Sequence, residues 1–393
     1  MRPFRIGVYT DLVFRREDAA LSTDLSFILF VSGLASRLGE LVFLGRLDDR
    51  PGRAPYRLPD EIELVPLPHY ERVTDVRGVL RSVRRARAAL LRELDRLDAL
   101  WLFGPHPLAL VFARLALRRG TPVFLGIRQD FPRYIGGRLP SRAWLWALPV
   151  AHGLELAFRR LARRVPTVVV GPELGRVYGR QGGPLLETTV SLVRREDIVS
   201  LDEPLARSWD GDLPILSVGR LESEKNPLLL PEALAELRRR CDRWRLVVVG
   251  TGPLRDAVEA RARALGVDDA LELRGYVPFG DELWSLYRSS AAFLHVSLTE
   301  GLPQVLLEAQ AAGLPVVATD VGGVRAALGD GRHALVVPPR DPRAIVDALE
   351  RLRLDEQLRR RLVAEGLASV AERTLDAELD RVAAFFRGQL GTG

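Results

Sequence analysis

Short apolar runs alternate with longer stretches of helical period along the chain, and the alternation starts afresh near its middle. In the first half the runs predict strands at Arg5–Tyr9, Leu41–Gly45, Glu63–Pro66, Ala99–Phe103, Pro122–Ile127 and Thr167–Gly171. Helical patterns lie between them at Asp24–Leu38, Thr74–Leu97 and Ala109–Arg119. Strand, crossover helix, strand is the signature of a doubly wound parallel sheet. In the second half strands are predicted at Pro214–Val218, Arg245–Val249, Leu271–Arg274, Ala292–His295, Pro315–Ala318 and Ala334–Val337, with helices between.

A chain of 393 residues is long for one domain and comfortable for two. The polar stretch Arg194–Gly211 has weak periodicity and reads as the linker. The expected fold is therefore α/β, with two Rossmann-like doubly wound parallel-sheet domains facing a cleft. The expected boundaries are residues 1–206, residues 207–370 and a C-terminal helix at 371–393 that packs back on the first domain. Ligands bind where such domains meet and at the carboxyl edges of their strands.

Composition narrows the chemistry. One cysteine, Cys241, excludes a disulfide framework and a cysteine-built zinc site, and it suits a reducing cytosol. Five scattered histidines give no metal signature. Residues 1–5 run into a strand with no cleavage site, so a cytosolic chain is expected. The uncharged stretches Leu25–Ser36, Ala99–Ala113 and Ala143–Leu154 are all shorter than the ~18–20 residues of a spanning helix. The chain should be soluble, or peripheral at the inner face of a membrane. Residues 1–206 carry 32 arginines against 23 acidic residues, while the remainder has 25 basic and 28 acidic residues. Arginine bias explains the choice of cation but not this difference in sign.

The lone lysine marks a site. In Ser217-Val218-Gly219-Arg220-Leu221-Glu222-Ser223-Glu224-Lys225-Asn226-Pro227 a strand ends at Gly219 and a helix follows. Arg220 and Lys225 thus share a loop at the carboxyl end of a strand, suited to a diphosphate. Two solvated surface charges would be the plainer reading. Yet Lys225 is the one lysine among 57 basic residues, which points to a need for a compact point charge there. In His295-Val296-Ser297-Leu298-Thr299-Glu300-Gly301-Leu302-Pro303 another strand enters a loop. A helix is expected with Pro303 at its first position. The amide N–H groups near Gly301 and Leu302 would then face an anion. Glu308 falls roughly 7–8 Å along that helix. The pair Glu300 and Glu308 suits a sugar at one end and ribose hydroxyls at the other. Gly250 and Gly252 in the turn Val249–Pro253 permit close backbone approach. Tyr276 and Val277 follow the next strand.

Together SVGRLESEKNP, VVVGTGP, LRGYVP, SLTEGLPQVLLEA, GLPVVATDVGGV and HALVVPPRDPRAIVDAL resemble the family 4 (group 1) retaining glycosyltransferases of the GT-B fold. The resemblance covers about residues 213–350 closely and the first half in architecture only. It implies that Arg220 and Lys225 neutralise the donor diphosphate, that Glu300 contacts the donor sugar and that Glu308 holds the ribose. It also implies backbone contacts from Gly219, Gly250, Gly252, Gly301, Leu302 and Pro303, a base bordered by Tyr276 and Val277, retention at the anomeric carbon, and no need of a metal or other cofactor. Three stretches depart from the family pattern. The loop Thr10–Arg15 has no glycine, Ile127-Arg128-Gln129-Asp130 lacks the usual histidine, and Val324-Arg325-Ala326 lacks the usual acidic residue.

In the first half, Asp11, His106 and Asp130 lie near strand ends, and Gln129 beside Asp130 could orient a sugar hydroxyl. Asp130 and His106 are the catalytic candidates there, with Asp11, Asp24 and Gln129 as acceptor-side candidates. Asp24 reads more simply as a helix N-cap, His106 as a turn residue and His295 as a satisfied core histidine. Arg77, Arg81, Arg84 and Arg85 share a helical face. Its functional reading is contact with an anionic membrane, and its plainer reading is a solvated arginine face. No aromatic interleaving points to nucleic acid. The expected function is transfer of a sugar from a nucleotide-diphosphate donor to a glycan, lipid-linked or small-molecule hydroxyl acceptor. The alternatives are a nucleotide-sugar epimerase and a nucleotide-sugar-binding protein without transfer activity.

Overall fold

A computed structural model describes residues 3–17, 20–48, 50, 54–69, 76–136 and 144–391, with backbone alone at residues 17 and 76–81. The chain divides into two units, Met1–Val190 with Glu378–Gly393, and Ser191–Ala377.

Among the described residues the first unit is built on nine strands: β1 (Phe4–Glu17), β2 (Ala20–Thr23), β3 (Gly39–Asp48), β4 (Tyr56–Arg57), β5 (Glu63–Pro68), β6 (Ala99–Gly104), β7 (Val123–Ile127), β8 (Thr167–Val170) and β9 (Leu185–Thr188). Seven of them form a parallel sheet in the order β5-β3-β1-β6-β7-β8-β9. β2 pairs antiparallel with the last residues of β1, from Phe14 to Glu17, and β4 pairs antiparallel with β2. Apolar runs line both faces because both are covered. Leu100 and Leu102 enter one core, while Trp101 between them packs edge-on against Phe386. Phe386 also stacks on Phe124 at 3.9 Å, so the last helix, Leu375–Gln389, completes this unit from the far end of the sequence.

The second unit has six strands: β10 (Leu213–Val218), β11 (Trp244–Val249), β12 (Leu271–Gly275), β13 (Ala292–His295), β14 (Val316–Thr319) and β15 (Leu335–Val337). All pairs are parallel, in the order β12-β11-β10-β13-β14-β15. Side chains alternate between two cores. Ile215, Leu246 and Leu294 enter one, and Leu216, Val249 and Phe293 the other. The winding reverses between β10 and β13, which opens a crevice at their carboxyl ends.

Several local expectations shift. Residues 191–206, read as part of the first domain and of the linker, pack within the second unit. The Val199 N–H donates to the Ala311 carbonyl at 3.0 Å, and the Pro204 ring lies against Gly313. The helix expected from Asp24 is two short pieces, Phe27–Ser32 and Ala35–Leu38, and Ser26 takes the N-cap position. Asp24 instead accepts from Arg15 at 2.9 Å. The helix after Glu300 begins one residue later than expected, at Gln304, with Pro303 extended at its N-cap. Its free N–H groups therefore start at Gln304, and Gly301 and Leu302 belong to the loop.

Candidate functional site

The loops that leave β10 and β13 meet where the winding of the second sheet reverses. Lys225 closes the first loop in a short 3₁₀ turn, and Asn226 after it adopts a left-handed conformation. The loops are joined by the Leu298 N–H, which donates to the Glu224 carbonyl at 2.8 Å. Across this junction Lys225 Nζ lies 2.5 Å from Glu300 Oε1. His295, the last residue of β13, brings Nε2 to 3.0 Å from the same oxygen, without the alignment of a full hydrogen bond. The Glu300 side chain is only 9% exposed. Burial alone would raise its carboxyl, but His295 and Lys225 outweigh burial and draw it down to about 2. Glu300 is thus a carboxylate throughout the physiological range.

Arg220 stands at the mouth of the same loop. Its side chain is half exposed and pairs with Glu222 at 2.7 Å and Glu224 at 3.2 Å. Both are neighbours on its own loop, so an incoming anion meets a guanidinium paired within that loop, with half of its side chain open to solvent. Arg220, Lys225, His295 and Ser297 line one small hollow. These are the cations that the sequence marked, brought together with a histidine that it had assigned to the core.

Glycines hold these loops in place by approaching them, not by leaving room for a ligand. Gly250 has φ +141°, and a Cβ there would sit 1.9 Å from the Gly219 carbonyl oxygen. Gly322, at φ +51°, would place a Cβ 1.9 Å from the Glu300 carbonyl oxygen. Gly252 and Gly323 crowd Leu221 and Gly301 in the same way. Each loop at the crevice is therefore buttressed by the next turn along the sheet. In the stretch Val324–Ala326, which lacks the family's usual acidic residue, Val324 is buried in the core and Arg325 donates to Asp320 at 3.1 Å.

Glu308 lies elsewhere on this edge. It is 5% exposed and accepts a hydrogen bond from the Tyr287 hydroxyl at 2.8 Å. Burial pushes its carboxyl up to about 7, the Tyr287 bond offsets part of that, and Asp197 adds to the rise. Tyr276 is half exposed beyond β12, whereas Val277 is buried in the core.

The first unit has its own cluster, where the middle of β1 meets the turn after β6. His106 caps the helix Pro107–Arg119, accepting from the Leu108 N–H at Nδ1. Tyr9 Oη is 2.8 Å from the same nitrogen. With Nδ1 accepting, the neutral ring carries its proton on Nε2, which faces Asp11 at 3.7 Å. Burial holds the imidazole below its usual pKa against the pull of Asp11. Asp11 in turn pairs with Arg46 at 3.0 Å. Asp130 caps a different helix, accepting from the Arg133 N–H at 3.0 Å, and Gln129 is half-buried beside it. Of the four arginines that share a face of the basic helix Val76–Glu93, Arg84 and Arg85 are exposed, and the side chains of Arg77 and Arg81 lie outside the described residues.

Residues 207–368 match the family described as Glycosyl transferases group 1. The chain is 41% identical over 172 residues to a D-inositol 3-phosphate glycosyltransferase of Frankia alni. That match covers 41% of this chain and 42% of the relative, so the chain spans less than half the length of the curated protein that it matches. Its fold is that of sucrose-phosphate synthase from Thermosynechococcus elongatus, at a TM-score of 0.76 and 16% identity over 98% of this chain and 99% of that one. Anabaena HepE in complex with UDP-glucose superposes at a TM-score of 0.69 and 14% identity, again over 98% and 99%. The two-sheet arrangement is the GT-B fold.

Proposed function

We propose that this chain, whose residues 207–368 belong to the group 1 glycosyl transferases, moves a sugar from a nucleotide-diphosphate donor to a hydroxyl acceptor with retention at the anomeric carbon. The observation that carries this reading is the pairing of Lys225 with Glu300 at 2.5 Å where the second sheet's winding reverses, with Arg220 beside it. A cation and a carboxylate so placed match the two ends of a sugar diphosphate. Lys225 turns from Glu300 to the diphosphate, and Glu300 accepts from a sugar hydroxyl. In the transfer the bond from the anomeric carbon to the phosphate oxygen breaks, and its electron pair stays on the diphosphate. Lys225 and Arg220 neutralise that charge as it grows, which is where such sites gain most of their rate. The acceptor oxygen bonds to the anomeric carbon on the face the diphosphate leaves, and its proton passes to the departing phosphate oxygen. The described chain also has no group of three or more His, Cys, Asp and Glu side chains that could gather a metal.

The test is thermal shift with uridine, guanosine and adenosine diphosphates, followed by donor turnover. At least one nucleotide should raise the melting temperature of the native chain and of neither Lys225→Ala nor Arg220→Ala. A second reading, donor binding without transfer, is favoured by the first unit. There Asp130 caps a helix and Asp11 is tied to Arg46, so neither is a free general base. It would show as a nucleotide-dependent shift with neither donor hydrolysis nor transfer to any acceptor tried.

A further inference from the structure

The outward face of the helix Ala147–Leu161 is apolar where a surface helix should be polar. Ala151, Glu155, Phe158 and Ala162 form its buried stripe. The opposite side begins at Trp146 and continues through Val150 to Leu156. Leu145, Trp146, Val150 and Leu156 are 52%, 58%, 60% and 46% exposed. The Trp144 and Trp146 rings stack at 5.5 Å. From Trp144 to Phe158 the one charged residue is Glu155, which is 3% exposed and bonded to Arg159. The outward face turns basic at the helix end, where Arg160, Arg163 and Arg164 are exposed. Such residues scattered singly over a surface need no explanation, but four along one helix and its entry, on a face that ends in a cationic cluster, do.

We propose that this face docks the chain on a lipid bilayer with anionic headgroups. The tryptophan pair lies at the level of the headgroups, Leu145, Val150 and Leu156 enter the acyl boundary, and the arginines meet the headgroup charge. Charge decides the occupant. From Trp144 to Arg164 the one acidic residue is the buried Glu155, so this segment offers no exposed carboxylate that would steer a basic protein, and residues 1–206 have 32 arginines against 23 acidic residues. Among the described residues no helix is long and apolar enough to cross a membrane, so the contact is peripheral. The surface belongs to the first unit and the crevice of Lys225 and Glu300 to the second, and docking needs neither donor nor acceptor.

The test is flotation of the full chain with two vesicle preparations, phosphatidylglycerol mixed with phosphatidylcholine, and phosphatidylcholine alone. The native chain should float with the anionic vesicles and remain below with the neutral ones. Trp146→Ser with Val150→Ser should lower partition at least about tenfold with an unchanged melting temperature, since both side chains are exposed. Arg160→Glu with Arg164→Glu should lower it similarly and abolish its salt dependence. Arg84→Glu with Arg85→Glu, on the other basic helix, should leave it within about threefold. Failure of the native chain to float, or equal flotation of the Trp146 and Val150 variant, overturns the proposal. So does a concentration-dependent dimer in sedimentation that the Trp146 and Val150 changes dissolve, because the face would then join two copies of this chain.

Discussion

The ammonium of Lys225 and the carboxylate of Glu300 share an ion pair of 2.5 Å between residues 75 apart in sequence. Each neutralises the other. A diphosphate and a sugar hydroxyl must take over these two charges together, so the pair links recognition of the two donor ends.

Lys225 and Arg220 should therefore separate when each is replaced by alanine. Loss of Lys225 leaves Glu300 buried beside His295 alone, at a cost of ~1–3 kcal/mol in urea unfolding. Loss of half-exposed Arg220 should cost under ~0.5 kcal/mol. Both changes should weaken nucleoside diphosphate binding by about tenfold or more in calorimetry.

Glu300→Gln frees Lys225 from its counter-ion. The variant should bind the nucleoside diphosphate at least as tightly as the native chain. Its turnover of donor sugar should fall by about a hundredfold or more in a single-turnover assay. Weakened nucleotide binding would show instead that Glu300 serves to position Lys225.

Glu308 gives a pH signature. Its carboxyl is pushed up to about 7 in the folded chain, above the ordinary value of 4.5. The unfolded chain ionises first, so this group's contribution to stability falls as pH rises from 4.5 and levels off above 7. Glu308→Gln should be close to neutral at pH ~5 and stabilising by ~1–3 kcal/mol at pH ~8. Melting curves at the two pH values measure the difference.

Gly250→Ala tests the buttress. The added Cβ meets the Gly219 carbonyl oxygen at 1.9 Å, on a backbone with φ +141°. Unfolding should show a loss of ~2–4 kcal/mol. Nucleotide affinity should fall with it, because the displaced carbonyl belongs to the loop of Arg220. Gly211→Ala, in open space, is the control.

Much of this was legible in the sequence because period and punctuation are local. The alternation of apolar runs located both sheets, and a lone lysine after a strand marked the crevice. What escaped depended on partners far along the chain. His295 reads as a core residue by its neighbours, and only the return of the β13 loop brings Glu300 to it. Gly250 and Gly252 read as permitting close backbone approach, and only the fold shows that the approaching backbone is the loop of Gly219 and Leu221. Asp24 and Asp130 both read as polar residues near strand or helix ends, and only side-chain geometry shows that the second caps a helix while the first pairs with Arg15. Beyond β1, the strands β2 and β4 have four and two residues, too short for any periodicity.

The helix Leu375–Gln389 sets an order on biosynthesis. The first unit holds residues 1–190 but also residues 378–393, with Phe386 stacked against Phe124 and Trp101. A ribosome releases all of the second unit before it releases that helix. The nascent first sheet must therefore wait with one face of Trp101 and Phe124 uncovered, while the second unit, contiguous from 191 to 377, is free to fold. The unit made first is the one finished last.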